Sequence, residues 1–317
     1  MAIQTERWLV KAPVNFRKIS YRRITVDALN VFLDFVKKNL VGWVYRGQSQ
    51  SEWLLDSSFD RKLNTRINQS DVLDTAEMTR QILELERKVL DTFKEMWIRY
   101  GRKKSKDPRS QLEWAMLAQH YGCPTRLIDF TDKINVALYF ATASDCDKDF
   151  SVWALRDNSF SFGNIEKDFE LCSNIFDGNK TDSVLDKWVI LRPSQIPGLN
   201  IGMVIERLKR QHGLFVMPLH LNISTEYILS DATLPFEWRV GRNVKPSTIL
   251  SNFQMEKDVS IVEFVFDKSI KHNVKEYLKK NGTTPLTLFP DISGIEKEID
   301  FQWPFGFETS KWSFWPF

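Results

Sequence analysis

Two arginines in this chain stand where a strand or a loop could aim a guanidinium at a ligand. Arg46 ends the apolar run WVYR and is followed by Gly47, and Arg126 lies in the polar loop PTRLIDFTD. A guanidinium is a permanently charged fork that binds phosphate or carboxylate through paired hydrogen bonds, and a neighbouring glycine lets a ligand approach the backbone. The pattern predicts an anion-binding site. An internal ion pair between Arg46 and a buried acid such as Asp129 explains Arg46 equally well.

The loop PTRLIDFTD concentrates polar side chains between two apolar segments. Its members are Thr125, Arg126, Asp129, Thr131 and Asp132. Loops of this kind often carry binding residues, because the flanking elements hold them in place. In the purely structural alternative, Arg126 pairs with Asp129 to pin the loop, and Thr131 or Asp132 caps the helix that begins near Lys133.

Helical patterns dominate the chain before residue 150. Residues 25–40 place apolar side chains on one helical face with Thr25 as N-cap, and a strand over residues 43–46 follows. A long amphipathic helix is predicted from Ser70 to about Tyr100. Ser110 caps a further helix that ends at Gly122, and the segment NVALYFATA forms a short helix whose small residues permit close packing.

The pattern changes after residue 150. SVWALR, KWVILRP, HGLFVMPL and VSIVEFVFD are short β-branched and aromatic runs, which predict a mostly antiparallel sheet. With no hinge or repeat between the two regions, we expect one α+β domain over residues 1–317. It has a helical half at 20–160 packed on a strand-rich half at 161–295, and an aromatic tail at 296–317.

Composition excludes several classes of protein. The net charge is +3, from 44 basic and 41 acidic residues, which is far from the excess of a dedicated nucleic-acid binder. The three cysteines form no CxxC pair and the four histidines share no ligand spacing, so we expect no metal site. No signal core or apolar span is evident. We therefore expect a cytoplasmic protein without a membrane partner.

Four sequence blocks resemble the FRG domain, a bacterial family named for an aromatic-Arg-Gly signature. They are YRGQ at 45–48, AQHYGCPTRLIDFTDKINVALYFA at 118–141, RLKRQHGLF at 207–215 and TTPLTLFPDISGI at 283–295. The long second block is far more specific than a short glycine pattern. FRG proteins occur in bacteria and their phages, and some are associated with phage defence. The resemblance implies a scaffold more directly than it implies a reaction.

A second, local resemblance is to arginine-type ADP-ribosyltransferases, in which a strand-end arginine before glycine helps to hold NAD. It implies an ADP-ribosyltransferase-like sheet and a cleft for NAD between the two halves of the domain. Arg46 and Arg126 would hold the diphosphate, and Tyr139 would stack on a ring. The implied NAD-binding residues are Arg46, Gly47, Gln48, His120, Thr125, Arg126, Asp129 and Tyr139. A tyrosine inside an apolar helix is more often a core residue than a ligand contact, and His120 is explained equally well by the dipole of the helix that it ends.

The same resemblance implies a late glutamate that stabilises the oxocarbenium-like transition state as nicotinamide leaves. Here the matching block offers Gln211, which can hydrogen-bond a ribose but carries no charge. Glu206, five residues earlier, and Glu263, on the predicted strand VSIVEFVFD, are the acids that could serve instead. The implied catalytic residues are therefore Arg46, Gln211, Glu206 and Glu263. Whether the chain is an enzyme stays open at this stage.

Two functions follow from the resemblances. One is an NAD-dependent ADP-ribosyltransferase-like toxin or antiphage effector that modifies nucleic acid or protein, with an antitoxin or defence-system partner. The other is a non-catalytic module that recognises a phosphate-containing or nucleotide ligand, or a phage component.

Overall fold

The computed structural model describes residues 20–53, 55–67, 75–101, 107–144, 146–157, 165–176, 188–196, 198–199, 201–218, 248–255, 259–289 and 293–302. Eight strands form its central sheet. They are β1 (Ser20–Val26), β2 (Trp43–Gln48), β3 (Ile128–Thr131), β4 (Phe150–Arg156), β5 (Trp188–Leu191), β6 (Gly213–Pro218), β7 (Thr248–Ile249) and β8 (Val259–Phe266). Their order across the sheet is β5-β6-β3-β2-β4-β8-β1-β7.

Helices surround this sheet. They are α1 (Leu29–Asn39), α2 (Ser58–Ile67), α3 (Thr75–Tyr100), α4 (Gln111–His120), α5 (Ile134–Thr142), α6 (Ile165–Phe176), α7 (Gly202–Arg210), α8 (Lys271–Lys280), α9 (Pro285–Leu288) and α10 (Ser293–Gln302). The predicted aromatic tail begins inside α10, and its remainder, residues 303–317, lies outside the described residues. The predicted start of the long helix at Ser70 also lies outside them.

The α+β class and the mostly antiparallel sheet are confirmed. Among the described strands, five of the seven pairs are antiparallel, and β1 runs parallel to β7 and β8. The sheet takes β1–β4 from residues 20–156 and β5–β8 from residues 188–266, and it interleaves them. The two sequence regions therefore share one sheet and do not form separate helical and strand layers.

Most apolar runs adopt the predicted structure. The four runs after residue 150 form β4, β5, β6 and β8, and WVYRGQ forms β2. Ser110 caps α4 by accepting a hydrogen bond from the backbone N–H of Glu113, and Gly122 after α4 has a positive φ of 79°. The local turn chemistry of this region was therefore readable from the sequence.

Two predictions about local structure were wrong. Residues 25–40 are not one helix, because Thr25 lies in β1, opposite Val265 of β8 and Ile249 of β7, and α1 begins only at Leu29. The segment PTRLIDFTD is not all loop, because Ile128–Thr131 forms β3 and pairs with β6. In both places, pairing with distant strands overrides the local pattern.

Two main apolar clusters pack on the sheet. One joins α1, α5 and α8 to the central strands, through residues such as Phe32, Leu138 and Val274. The other joins α4, α6 and α7 to β5 and β6, through residues such as Met116 and Leu208. The cleft described next is lined by side chains from both clusters.

Candidate ligand-binding cleft

A cleft of about 410 Å³ opens between α4, α5 and α7 over strands β2, β3 and β6. Its size falls in the range of pockets that hold small ligands. The charged side chains that line it are Arg46, Asp129 and Arg207, and His120 lies among them. Because two of these three charges are positive, the cleft favours an anionic ligand.

The cleft lies where β2 and β3 stop pairing. Their one registered pair is Tyr45 with Thr131, whereas β2 pairs with β4 along its whole length. Beyond that pair, the Nη1 of Arg46 donates a 2.8 Å hydrogen bond to the carbonyl oxygen of Asp129. Arg46 thus satisfies a strand carbonyl and does not form the predicted ion pair with the Asp129 carboxylate.

Arg46 keeps hydrogen-bonding capacity for a ligand. The residue is partly exposed, and its Nε is buried without a hydrogen-bond partner among the described residues. Burial lowers the pKa of Arg46, the nearby Asp129 charge opposes this change, and the charge of Arg61 adds to it. An anion placed against the guanidinium would supply the missing acceptor and offset the repulsion from Arg61.

Asp129 is held in position by a chain of hydrogen bonds. The Nε2 of Gln119 donates to its Oδ2 at 2.8 Å, and the Oγ1 of Thr125 donates to the Oε1 of Gln119 at 2.6 Å. The second bond fixes which end of the amide faces Asp129. Asp129 is the one carboxylate among the described residues that line the cleft, and Thr125 supports it from outside the lining.

Gln211 lines the cleft at the C-terminus of α7 and not on a strand. Its side-chain Nε2 donates to the carbonyl oxygen of Leu288 at 3.3 Å. Its backbone carbonyl oxygen accepts a hydrogen bond from the Oγ1 of Thr131 at 2.8 Å. The amide of Gln211 is therefore oriented by the protein before any ligand binds. Its neutral side chain supplies no negative charge for a developing cation.

Three other residues named from the sequence also line the cleft: Gly47, Gln48 and His120. The Oε1 of Gln48 accepts a 2.9 Å hydrogen bond from the Nε1 of buried Trp153, which fixes its orientation. His120 ends α4 and its ring lies edge-on to Tyr121 at 5.1 Å. All three lie on the same cleft as Arg46.

Helix packing, as well as the cleft, explains why residue 47 is a glycine. A Cβ atom on Gly47 would lie 1.9 Å from the carbonyl oxygen of Ala137 and 2.5 Å from the amide nitrogen of Ala141. Both atoms belong to the backbone of α5, so β2 and α5 approach too closely for any side chain here. The glycine after the arginine is thus required by the fold itself.

Arg126 does not line the cleft. It is 1% exposed, its Nε donates to the Oε1 of Glu86 at 2.7 Å, and its Nη2 pairs with Glu86 Oε2. Its guanidinium lies 4.8 Å from the centre of the Phe176 ring. Arg126 therefore joins α3 to the start of β3, and the predicted local pair with Asp129 is not formed.

The remaining residues named from the sequence also lie elsewhere. Tyr139 is buried, with its ring 5.8 Å from that of Phe301. Glu263 is buried on β8 and pairs with Arg23 at 3.2 Å. Glu206 is exposed and pairs with Arg210 at 3.3 Å. None of these three side chains lines the cleft, so none of them is placed to contact a ligand bound there.

Two cleft residues were missed from the sequence. Trp53 follows β2 by five positions, lines the cleft and is 48% exposed, so its ring is accessible to a planar group. Arg207 lies one helical turn before Gln211, and in the sequence it is the first residue of the block RLKRQHGLF, to which no binding role was given. The spacing of Arg207 and Gln211 is the signal that could have placed both on one face of α7.

The described residues lack two other features, a membrane-spanning helix and a metal-binding group. None of their helices combines the length and the apolar character that crossing a bilayer requires. They contain no group of three or more histidine, cysteine, aspartate or glutamate side chains placed to hold a metal ion.

In the comparison with protein families, the family model described as the FRG domain matches residues 41–149. That span includes β2, β3, α4 and α5, and therefore Arg46, His120 and Asp129. The comparisons with curated proteins and with solved structures gave no significant match. The similarity to ADP-ribosyltransferases thus stays a resemblance of short motifs.

Proposed function

Because this chain contains an FRG domain over residues 41–149, with its arginine aimed into a cleft, we propose that the protein binds a nucleotide there. NAD is the first candidate ligand. The observation that carries the proposal is the Arg46 guanidinium, which keeps a buried and unpartnered Nε although it already satisfies a strand carbonyl. A ligand phosphate is the acceptor that such a group binds best.

The other lining residues suit the rest of a nucleotide. Trp53 offers an exposed ring on which a base can stack, in place of the buried Tyr139. The oriented amides of Gln48, Gln119 and Gln211 can bond to ribose hydroxyls or base edges. A cleft with an apolar floor and a few fixed polar groups is typical of small-molecule sites.

The proposal predicts that Arg46 controls nucleotide affinity. Replacing Arg46 with Ala should weaken NAD binding about tenfold to a hundredfold, since a charge-assisted hydrogen bond contributes roughly 1.5–3 kcal/mol. Arg46→Lys keeps the charge but loses the fork, and should restore only part of the affinity. Isothermal titration calorimetry measures both, and thermal melting checks that each variant is folded.

Arg210→Ala is the matched control, because Arg210 is an arginine on a cleft-lining helix whose own side chain does not line the cleft. It should bind NAD as the wild type does. Equal NAD affinity in wild type and Arg46→Ala would contradict the proposal.

A second candidate function is transfer of ADP-ribose from NAD to a nucleic acid or protein, in the role of a toxin or antiphage effector with a defence-system partner. The observation that favours it is Asp129, a carboxylate fixed beside Arg46 in the cleft. A carboxylate there could stabilise the oxocarbenium-like charge that develops as nicotinamide leaves, which neutral Gln211 cannot do.

This second candidate predicts that Asp129→Asn loses nicotinamide release and that Asp132→Asn retains it. Asp132 is an exposed acid three residues later that does not line the cleft. Removing one charged group that acts in the transition state lowers kcat roughly a hundredfold to a thousandfold. Release is measured with NAD alone and with added RNA, DNA or protein. No release by the wild type in any mixture would overturn catalysis and leave the binding proposal standing.

A further inference from the structure

We propose that Arg207 is a second phosphate-binding residue of the cleft, positioned by Phe289, and that it makes the site select a nucleoside diphosphate over a monophosphate. The inference rests on the proposed function, in which Arg46 binds one phosphate group. It adds a residue outside the matched family span, and it narrows the ligand class.

Arg207 differs from several described arginines whose side chains pair with an acid. Arg126, Arg192 and Arg210 each pair with a carboxylate: Glu86, Asp157 and Glu206 respectively. Arg207 lines the cleft and is partly exposed, and its guanidinium makes no hydrogen bond or ion pair with any described residue. Its five N–H donors are therefore available to a ligand.

The contact that orients Arg207 is the face of the Phe289 ring. The guanidinium carbon lies 5.1 Å from the ring centre, which is within the range of a cation–π interaction. Such an interaction uses the face of the guanidinium and leaves its N–H donors free for acceptors in the plane. Phe289 thus holds the charge in place without using any of its hydrogen bonds.

Phe289 is itself immobilised by aromatic packing. It is 5% exposed, and its ring lies 6.2 Å from the rings of Tyr139 and Phe140 on α5. The adjacent Leu288 carbonyl accepts the hydrogen bond from the Gln211 side chain. The end of α9 is therefore docked on the last turn of α7, and it fixes Arg207 and Gln211 together.

Charge balance within the cleft favours two phosphate groups. Arg46 on β2 and Arg207 on α7 bring two permanent positive charges, and Asp129 brings one negative charge that already accepts from Gln119. Each guanidinium can bind one phosphate group in its planar fork. A diphosphate engages both arginines, whereas a monophosphate on Arg46 leaves Arg207 without an anion.

The test compares calorimetric affinities for ADP and AMP in the wild type, Arg207→Ala, Phe289→Leu, the double variant and Arg210→Ala as control. We expect the wild type to bind ADP about tenfold or more tightly than AMP, since each charge-assisted contact contributes at least tenfold. Arg207→Ala should remove this preference while retaining AMP binding. Arg210→Ala should keep it.

Phe289→Leu should lower ADP affinity about threefold to tenfold, in line with a partly buried cation–π contact. If Phe289 acts through Arg207, the double variant binds ADP no more weakly than Arg207→Ala, although it melts at a lower temperature. An unchanged ADP preference in Arg207→Ala overturns the inference and leaves the proposed function intact. Additive losses in the double variant overturn the positioning role of Phe289. A wild type that binds NAD but neither ADP nor AMP overturns the inference alone, and one that binds none of the three overturns the proposed function itself.

Discussion

Replacing Gly47 with Ala should destabilise this protein by about 3 kcal/mol or more, at the upper end of what overpacking costs. The added Cβ would lie 1.9 Å from the Ala137 carbonyl oxygen and 2.5 Å from the Ala141 nitrogen. These are backbone atoms of α5 and cannot rotate away. Strand β2 and α5 must therefore separate, which disrupts the apolar cluster that they share. Urea denaturation measures the free energy of unfolding.

Gly213→Ala is the matched control for this variant. Gly213 also lines the cleft, but the nearest atom to its added Cβ, at 2.7 Å, is the Cδ2 of Leu208, the end of a flexible side chain. That side chain can move, so Gly213→Ala should cost less than Gly47→Ala. If the unfolding free energies of Gly47→Ala and the wild type agreed within error, the close approach of β2 to α5 would be contradicted.

Arg126→Met should destabilise the fold by about 3–5 kcal/mol, because it leaves the Glu86 carboxylate buried without its partner. Glu86 is 4% exposed and receives both hydrogen bonds of the Arg126 fork. Adding Glu86→Leu removes the orphaned charge and should recover most of the loss. The measurement is again the free energy of unfolding in urea.

The control is Arg192→Met, which breaks a single-bond pair with Asp157 nearer to solvent. The Arg192 and Asp157 side chains are 18% and 30% exposed, so solvent screens the remaining charge and the loss should be nearer 1 kcal/mol. A loss in Arg126→Met no larger than in Arg192→Met would contradict a structural role for the buried pair. Because the Arg126 side chain does not line the cleft, the folded Arg126→Met variant should bind nucleotide with the affinity of the wild type.

The sequence predicted those parts of the fold that depend on local pattern. Four apolar runs became strands because their β-branched and aromatic residues fill buried positions, and Ser110 and Gly122 bounded α4 through standard capping. Strands β1 and β3 were missed because polar residues interrupt their apolar runs, and because their partners are distant in sequence. No local feature of Thr25 or Asp129 announces those partners.

The same limit explains the candidate site. Arg46 and Arg126 look alike in sequence, and what separates them is Glu86, which lies 40 residues before Arg126 and pairs with it in the core. The contact that orients Arg207 could not be read from the sequence, because Phe289 lies 82 residues later. Sequence pattern thus identified Arg46 and five of its cleft neighbours, and the three-dimensional arrangement added Trp53 and Arg207 and excluded Arg126.

The most direct test of the account is a crystal structure of the wild type grown with ADP. We expect ADP in the cleft, with a phosphate oxygen within hydrogen-bonding distance of the Arg46 Nε and the second phosphate group at Arg207. ADP bound elsewhere, with the Arg46 guanidinium still bonded only to the Asp129 carbonyl, would contradict the claim that this cleft is a nucleotide site.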